Sequence, residues 1–210
     1  MVNVTIVTDD FKFFYTLKEK LNQQRNIKIN HILVSEPIPN TSDIIVTDQY
    51  AVKQNNPDRK IFIPNSYNLL YLYSSILLMH HGKNHYLCIK IGIDPGKSIG
   101  FAAINEDDEI LFTLEDYSAN NIVAKVLSID NNVKTQKLIV RVGIGGGEIK
   151  NEIIKKLEQS FVNRDDVIIE EVKEEFTTKP KKYFPEYAFI KNKNIISALL
   201  IAKRYQKEEE

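Results

Sequence analysis

Short apolar runs alternate with stretches of helical spacing through the first 84 residues. Val2 to Val7 predicts a strand, and Phe11, Phe14, Leu17 and Leu21 then recur three or four residues apart, lining one face of a helix. Ile27 to Val34, Asp43 to Val46 and Lys60 to Ile63 predict three more strands. The densest apolar segment, Tyr67 to Met79, carries Ser74 and Ser75 and falls short of the roughly 18 residues a membrane span needs. Tyr67 to His81 is therefore predicted as a buried helix, and no membrane partner is expected. Strands alternating with helices predict a parallel sheet covered by helices, an α/β domain over residues 1 to 84.

From residue 85 the rhythm changes. Leu87 to Ile93, Ile99 to Ile104 and Glu109 to Leu114 predict three strands. Their connections, Pro95 to Ser98 and Asn105 to Asp108, are short and turn-rich, which favours antiparallel neighbours. A helix from Ala119 to Ile129 and a strand from Lys137 to Ile144 follow. The next helix, Glu148 to Phe161, places Ile149, Ile153, Leu157 and Phe161 on one stripe. Val167 to Val172 predicts a fifth strand, and Asn192 to Tyr205 a last helix. Residues 85 to 207 thus predict a second domain: three antiparallel strands, helix, strand, helix, strand, helix.

Composition narrows the class. With 43% hydrophobic and 27% charged residues in 210, the chain reads as globular. Its formal net charge is zero, so any polyanion site must be local. Cys88 is the single cysteine, which excludes an intramolecular disulfide and a cysteine metal cluster. The start, Met1-Val2-Asn3-Val4, lacks a cationic leader pattern, which predicts a cytoplasmic protein.

Candidate chemistry concentrates at Asp94. An apolar strand delivers this acid into Pro95-Gly96-Lys97-Ser98, and a second apolar run leaves the turn. Burying an unpaired charge costs several kcal/mol, so the carboxylate should face a cleft, a metal or a phosphate. The plainer alternative is an ordinary turn residue. In the first domain Asp9 and Asp10 follow the first strand and Asp48 the third, at the edge where open α/β sheets bind ligands. Asp9 and Asp10 would equally cap the helix that begins near Phe11.

These residues carry two resemblances. Gly92-Ile93-Asp94-Pro95-Gly96-Lys97-Ser98-Ile99-Gly100 resembles the first-strand motif of Holliday-junction resolvases of the RuvC type and their YqgF relatives. Val172 to Thr178 is similar to the YqgF segment in which an acid and a Thr-Thr pair follow the fifth strand, and Asn194 to Ala202 matches the rhythm of the RuvC final helix. The resemblance implies a ribonuclease H-like fold and a metal-dependent, structure-selective nuclease acting on branched or single-stranded DNA or RNA. It implies Asp94, Glu174 and Asn194 as ligands of Mg²⁺ or Mn²⁺, with Glu171 or Glu148 assisting. In that family one or two bound dications activate a water and stabilise the oxygens of an in-line phosphodiester displacement. At the final helix, however, Asn194 and Ser197 stand where the family places aspartates, so the spacing survives and the charge does not. Residues 1 to 84 resemble a response-regulator receiver domain, with Asp9, Asp10 and Asp48 at its acidic positions and its final strand and lysine missing.

A local basic patch surrounds Pro180 to Phe189. Lys179, Lys181, Lys182, Lys191 and Lys193 are interleaved with Tyr183, Phe184, Tyr187 and Phe189. Cations for phosphates and rings for stacking suit nucleic acid, with Lys97, Lys181, Lys182, Tyr183, Lys191 and Lys193 as the gripping residues. The same aromatics would also dock onto their own domain or a second subunit, so a homodimer stays open. The run Glu170, Glu171, Glu174 and Glu175 reads equally as a solvated face. Two further readings remain: Asp94 to Ser98 with Gly145 to Gly147 resembles the phosphate loops of the actin and hexokinase superfamily of ATP binders, and a chain missing both final-helix acids suits an inactive binding or scaffold protein.

Overall fold

The computed structural model describes residues 1–173 and 190–203. The predicted site residues Glu174, Lys181, Lys182 and Tyr183 therefore lie outside the described residues, as does the YqgF-like Thr-Thr pair. The chain divides into two compact units, Met1–Asn84 and His85–Glu210. Both are α/β, one built on a parallel sheet and the other on a mixed sheet. Among the described residues no helix is long and apolar enough to cross a membrane.

The first unit runs β1 (Val2–Val7), α1 (Phe11–Leu21), β2 (Ile27–Ile32), β3 (Ile44–Thr47), α2 (Tyr50–Asn55), β4 (Ile61–Phe62) and α3 (Leu69–His80). Its sheet has the order β2-β1-β3-β4 with every pair parallel. Side chains alternate across the strands, so Val7, Ile45 and Ile61 share a cluster with Val52 of α2, while α1 packs against α3. Asn68 caps α3, accepting from the backbone N–H of Leu70 and Tyr71, and the helix buries Leu72, Tyr73, Ile76 and Leu77. The predicted burial of this helix is present. Helix α2 was not visible in the pattern because it spans six residues, lacks a side-chain cap and buries only Val52. A cavity of about 300 Å³ lies beside it, lined by Val7, Val34, Ile38, Ala51, Val52 and Asn55 among others.

The second unit runs β5 (Ile89–Asp94), β6 (Ile99–Ile104), β7 (Ile110–Asp116), α4 (Ala119–Asn132), β8 (Leu138–Gly143), α5 (Gly147–Ser160), β9 (Val167–Val172) and α6 (Lys193–Lys203). The sheet order is β7-β6-β5-β8-β9. Strand β6 is antiparallel to β5 and β7, whereas β8 is parallel to β5 and β9. Two strand boundaries of this unit differ from the pattern by two residues. Leu87 lies before β5 and is exposed, and β7 continues two residues beyond Leu114 because Glu115 and Asp116 pair with Gly100 and Ile99.

Helix α6 packs on β5 and β6 at very short range. A Cβ at Gly92 would stand 1.9 Å from the carbonyl oxygen of Ala198, and one at Gly100 would stand 2.0 Å from that of Asn194. The absent side chains let the helix backbone rest on the strand backbone, and Ala102, Ala198 and Ala202 fill the seam. At the other end of α6, buried Arg141 donates Nη1 to the carbonyl of Ala202 at 2.6 Å and pairs its Nε with Glu170 at 2.5 Å. Buried Lys90 pairs with Asp108 at 2.5 Å, and Lys203 stands 3.7 Å from the same carboxylate. Opposite α6, helices α4 and α5 pack together and cover the other face of the sheet.

Candidate functional site

Strand directions gather one edge of the second unit. Because β5, β7, β8 and β9 all point the same way, their C-terminal ends lie together, beside the start of β6. Helix α4, capped by Ser118, and helix α5, preceded by Gly146, begin at this edge. Helix α6 begins there too, since the backbone of Asn194 lies over Gly100. Open α/β sheets bind ligands outside the carboxyl ends of their strands.

Register places the side chains. Asp94 is opposite Gly100, and Gly100 is opposite Glu115, so the two acids stand in one cross-strand row on the face covered by α6. Asp94 is half-buried. Glu115 is exposed but held from three sides. Its Oε1 accepts from the Ser98 hydroxyl at 2.7 Å and from Asn194 Nδ2 at 2.6 Å, and its Oε2 accepts from Asn192 Nδ2 at 2.6 Å. Asn194 Nδ2 also donates to Ser98 Oγ at 2.6 Å. The hydrogen bonds from Ser98, then Asn194, then Asn192 hold the Glu115 carboxyl below the usual carboxylate range, because each favours the charged form.

The two asparagines divide two tasks. Asn192 caps α6, its Oδ1 accepting from the backbone N–H of Asn194 at 2.9 Å and of Ile195 at 3.2 Å. Asn194 sends its amide across to the turn and to β7. Next along the chain, Asp116 accepts from the backbone N–H of Tyr117 at 2.7 Å and of Ser118 at 2.9 Å, and from Asn121 Nδ2. These bonds, the Ser118 N–H first and the Asn121 amide next, hold its carboxyl low as well. They also project Tyr117 into solvent, 78% exposed.

The other residues singled out from the sequence disperse once folded, or keep only part of the expected company. Glu171 pairs with Lys150 of α5 at 2.6 Å, on the face opposite Asp94, because its strand neighbour Glu170 takes the α6 face with Arg141. Glu148 is exposed in the first turn of α5. Lys97, Lys191 and Lys193 are exposed, and the contacts of Ser98, Asn192 and Asn194 put them at the same edge as Asp94. In the glycine loop, Gly146 has φ 77° and lies against Pro95, whose carbonyl oxygen would be 2.4 Å from a Cβ there. In the first unit, Asp10 caps α1 through the N–H of Lys12 and Phe13, while Asp9 accepts from the N–H of Val34 at 3.1 Å. Asp48 is exposed at the end of β3.

Among the described residues no three His, Cys, Asp or Glu side chains stand together as a metal-holding group. Of the ligands that the nuclease resemblance implies, Glu174 lies outside the described residues, and Asn194 turns amide hydrogens, not an oxygen, toward Glu115. Glu115, Ser98 and Asn192 are the members of this cluster that the sequence pattern did not single out. Asn192-Lys193-Asn194 just before an apolar helix was the available signal for the cap. The pairing of Glu115 had no local signal at all.

No known family model matches the chain, and no curated protein matches it.

Proposed function

We propose that the second unit is a nucleic-acid-binding unit of ribonuclease H-like architecture that keeps the fold of the RuvC and YqgF nucleases and not their metal chemistry. The element order and the sheet order β7-β6-β5-β8-β9 support that architecture. The observation that carries the reading is the Asn194 amide bound to both Glu115 and Ser98, beside Asp94, where the resemblance calls for a carboxylate. A dication is held by several oxygen ligands of net negative charge. Here a neutral amide supplies the positive hydrogen-bonding end that Glu115 needs, and the edge offers Lys97, Lys191 and Lys193 to phosphates. For the first unit, the order β2-β1-β3-β4 supports a receiver-like fold used as a scaffold, since Asp10 is occupied as a helix cap.

Labelled branched DNA, single-stranded DNA and RNA, incubated with the full chain across a Mg²⁺ and Mn²⁺ titration, test this reading. Binding that weakens steeply with added salt is expected, without cleavage. Metal-dependent cleavage that Asp94→Asn abolishes would overturn the loss of chemistry. Absence of binding to every nucleic acid at low salt would overturn the function itself. A thermal shift with ATP, which is not expected, would favour the ATP-binding reading.

A further inference from the structure

We propose that Tyr117 is a base-stacking platform for single-stranded nucleic acid, with Lys97, Lys191 and Lys193 placed to meet the phosphates on either side. The proposal rests on the nucleic-acid reading above and adds to it the strandedness of the ligand and the residue that meets its bases.

An exposed tyrosine on a loose loop would carry little meaning. Tyr117 is different because the chain on both sides of it is tied down. Its own N–H and that of Ser118 are bound by the Asp116 carboxylate, which is in turn gripped by Asn121. Two residues before it, Glu115 is fastened to the β5–β6 turn through Ser98 and to the start of α6 through Asn192 and Asn194. The ring is nevertheless 78% exposed. A rigid, solvent-facing aromatic loses little backbone freedom on binding, which favours affinity.

The surroundings suit a polyanion. Lys97 neighbours Ser98, Lys193 neighbours Asn194, and Lys191 neighbours Asn192, so the hydrogen bonds that converge on Glu115 also bring three exposed lysines to its edge. The two carboxylates that precede Tyr117 in the chain, Glu115 and Asp116, already accept hydrogen bonds from side chains or backbone amides of this unit. A duplex hides base faces in its own stack, whereas unpaired bases offer theirs to a ring.

The chain contains no tryptophan, so Tyr117→Trp places a single indole at the platform. The full-length variant is titrated with end-labelled oligo(dT), oligo(U) and a hairpin duplex, reading indole emission and label anisotropy together. Saturable quenching of the indole by the single strands, with the same midpoint as the anisotropy, is expected. In the parent chain Tyr117→Ala should weaken single-strand binding about 10-fold or more and Tyr117→Phe should retain it, since stacking needs the ring and not the hydroxyl. The two single strands distinguish a DNA from an RNA ligand. Binding by anisotropy with unchanged indole emission, and with Tyr117→Ala matching the parent, would overturn the platform and leave the nucleic-acid reading standing. Equal quenching by the duplex would overturn the single-strand assignment. No anisotropy change with any of the three would remove the nucleic-acid reading, and this proposal with it.

Discussion

Gly92 and Gly100 leave no room for a side chain, and this has a measurable consequence. A methyl at position 92 would meet two backbone atoms of α6, the Ala198 oxygen at 1.9 Å and the Ala202 nitrogen at 2.5 Å, and neither can swing away. Gly→Ala in a strand otherwise gains about 0.4–1 kcal/mol from the unfolded chain, so the clash decides the sign. Gly92→Ala should destabilise the second unit by about 3 kcal/mol, the upper end of ordinary overpacking. Calorimetry should show its transition falling by on the order of 10 °C. An unchanged transition would mean that α6 is not seated on β5 in this way. Glu115 makes a second prediction at the same scale. Its folded pKa is lowered, so the stability it confers is present above the ordinary glutamate range and is lost as the pH falls through the lowered value. Urea unfolding from neutral pH down through the carboxylate range should show the parent losing stability more steeply than Glu115→Gln. Parallel slopes would exclude Glu115 as a source of that loss.

Helix α6 depends on what lies under each of its ends. Its start is held by Asn192 as cap and by Asn194 reaching to Ser98 and Glu115, and its end by Arg141 on the Ala202 carbonyl. Arg141 is 5% exposed and stands between Glu170 and the helix. Removing one partner of a buried ion pair leaves the other uncompensated, at a cost of about 3–5 kcal/mol. Arg141→Met should therefore cost roughly 3 kcal/mol in chemical denaturation, because Glu170 keeps some solvent contact. The double variant Arg141→Met with Glu170→Leu should recover part of that loss. If the double variant were as unstable as the single, the pair would not be the cause. Most elements were legible at this level: apolar runs marked β1, α3 and β6, and helical spacing of apolar residues marked α1 and α5, each within a few residues. The misses have physical reasons. Helix α2 is too short for a stripe, and the last two residues of β7 are polar, so their strand character comes only from pairing with Gly100 and Ile99.

Each unit carries its own sheet and its own buried core, and the Glu115 carboxylate takes its hydrogen bonds from Ser98, Asn192 and Asn194 of the same unit. Dialysis of the full chain against EDTA should therefore leave both melting transitions in place. A fall of several degrees that Mn²⁺ reverses would point to a bound dication and against the amide in its role. Local periodicity was enough to set the class of both units, the faces of their helices and the prominence of Asp94, because those properties depend on residues a few positions apart. It could not say which acids share a face. Ser98 and Asn194 are separated by 96 positions and Glu115 and Asn194 by 79, and a one-residue change of register on β7 would send Glu115 to the other face of the sheet. Glu171 shows the point: adjacent in sequence to Glu170, it faces Lys150 on the far side. Meetings across such distances arise only when the strands pair and α6 settles onto two glycines, which is where the candidate site comes into being.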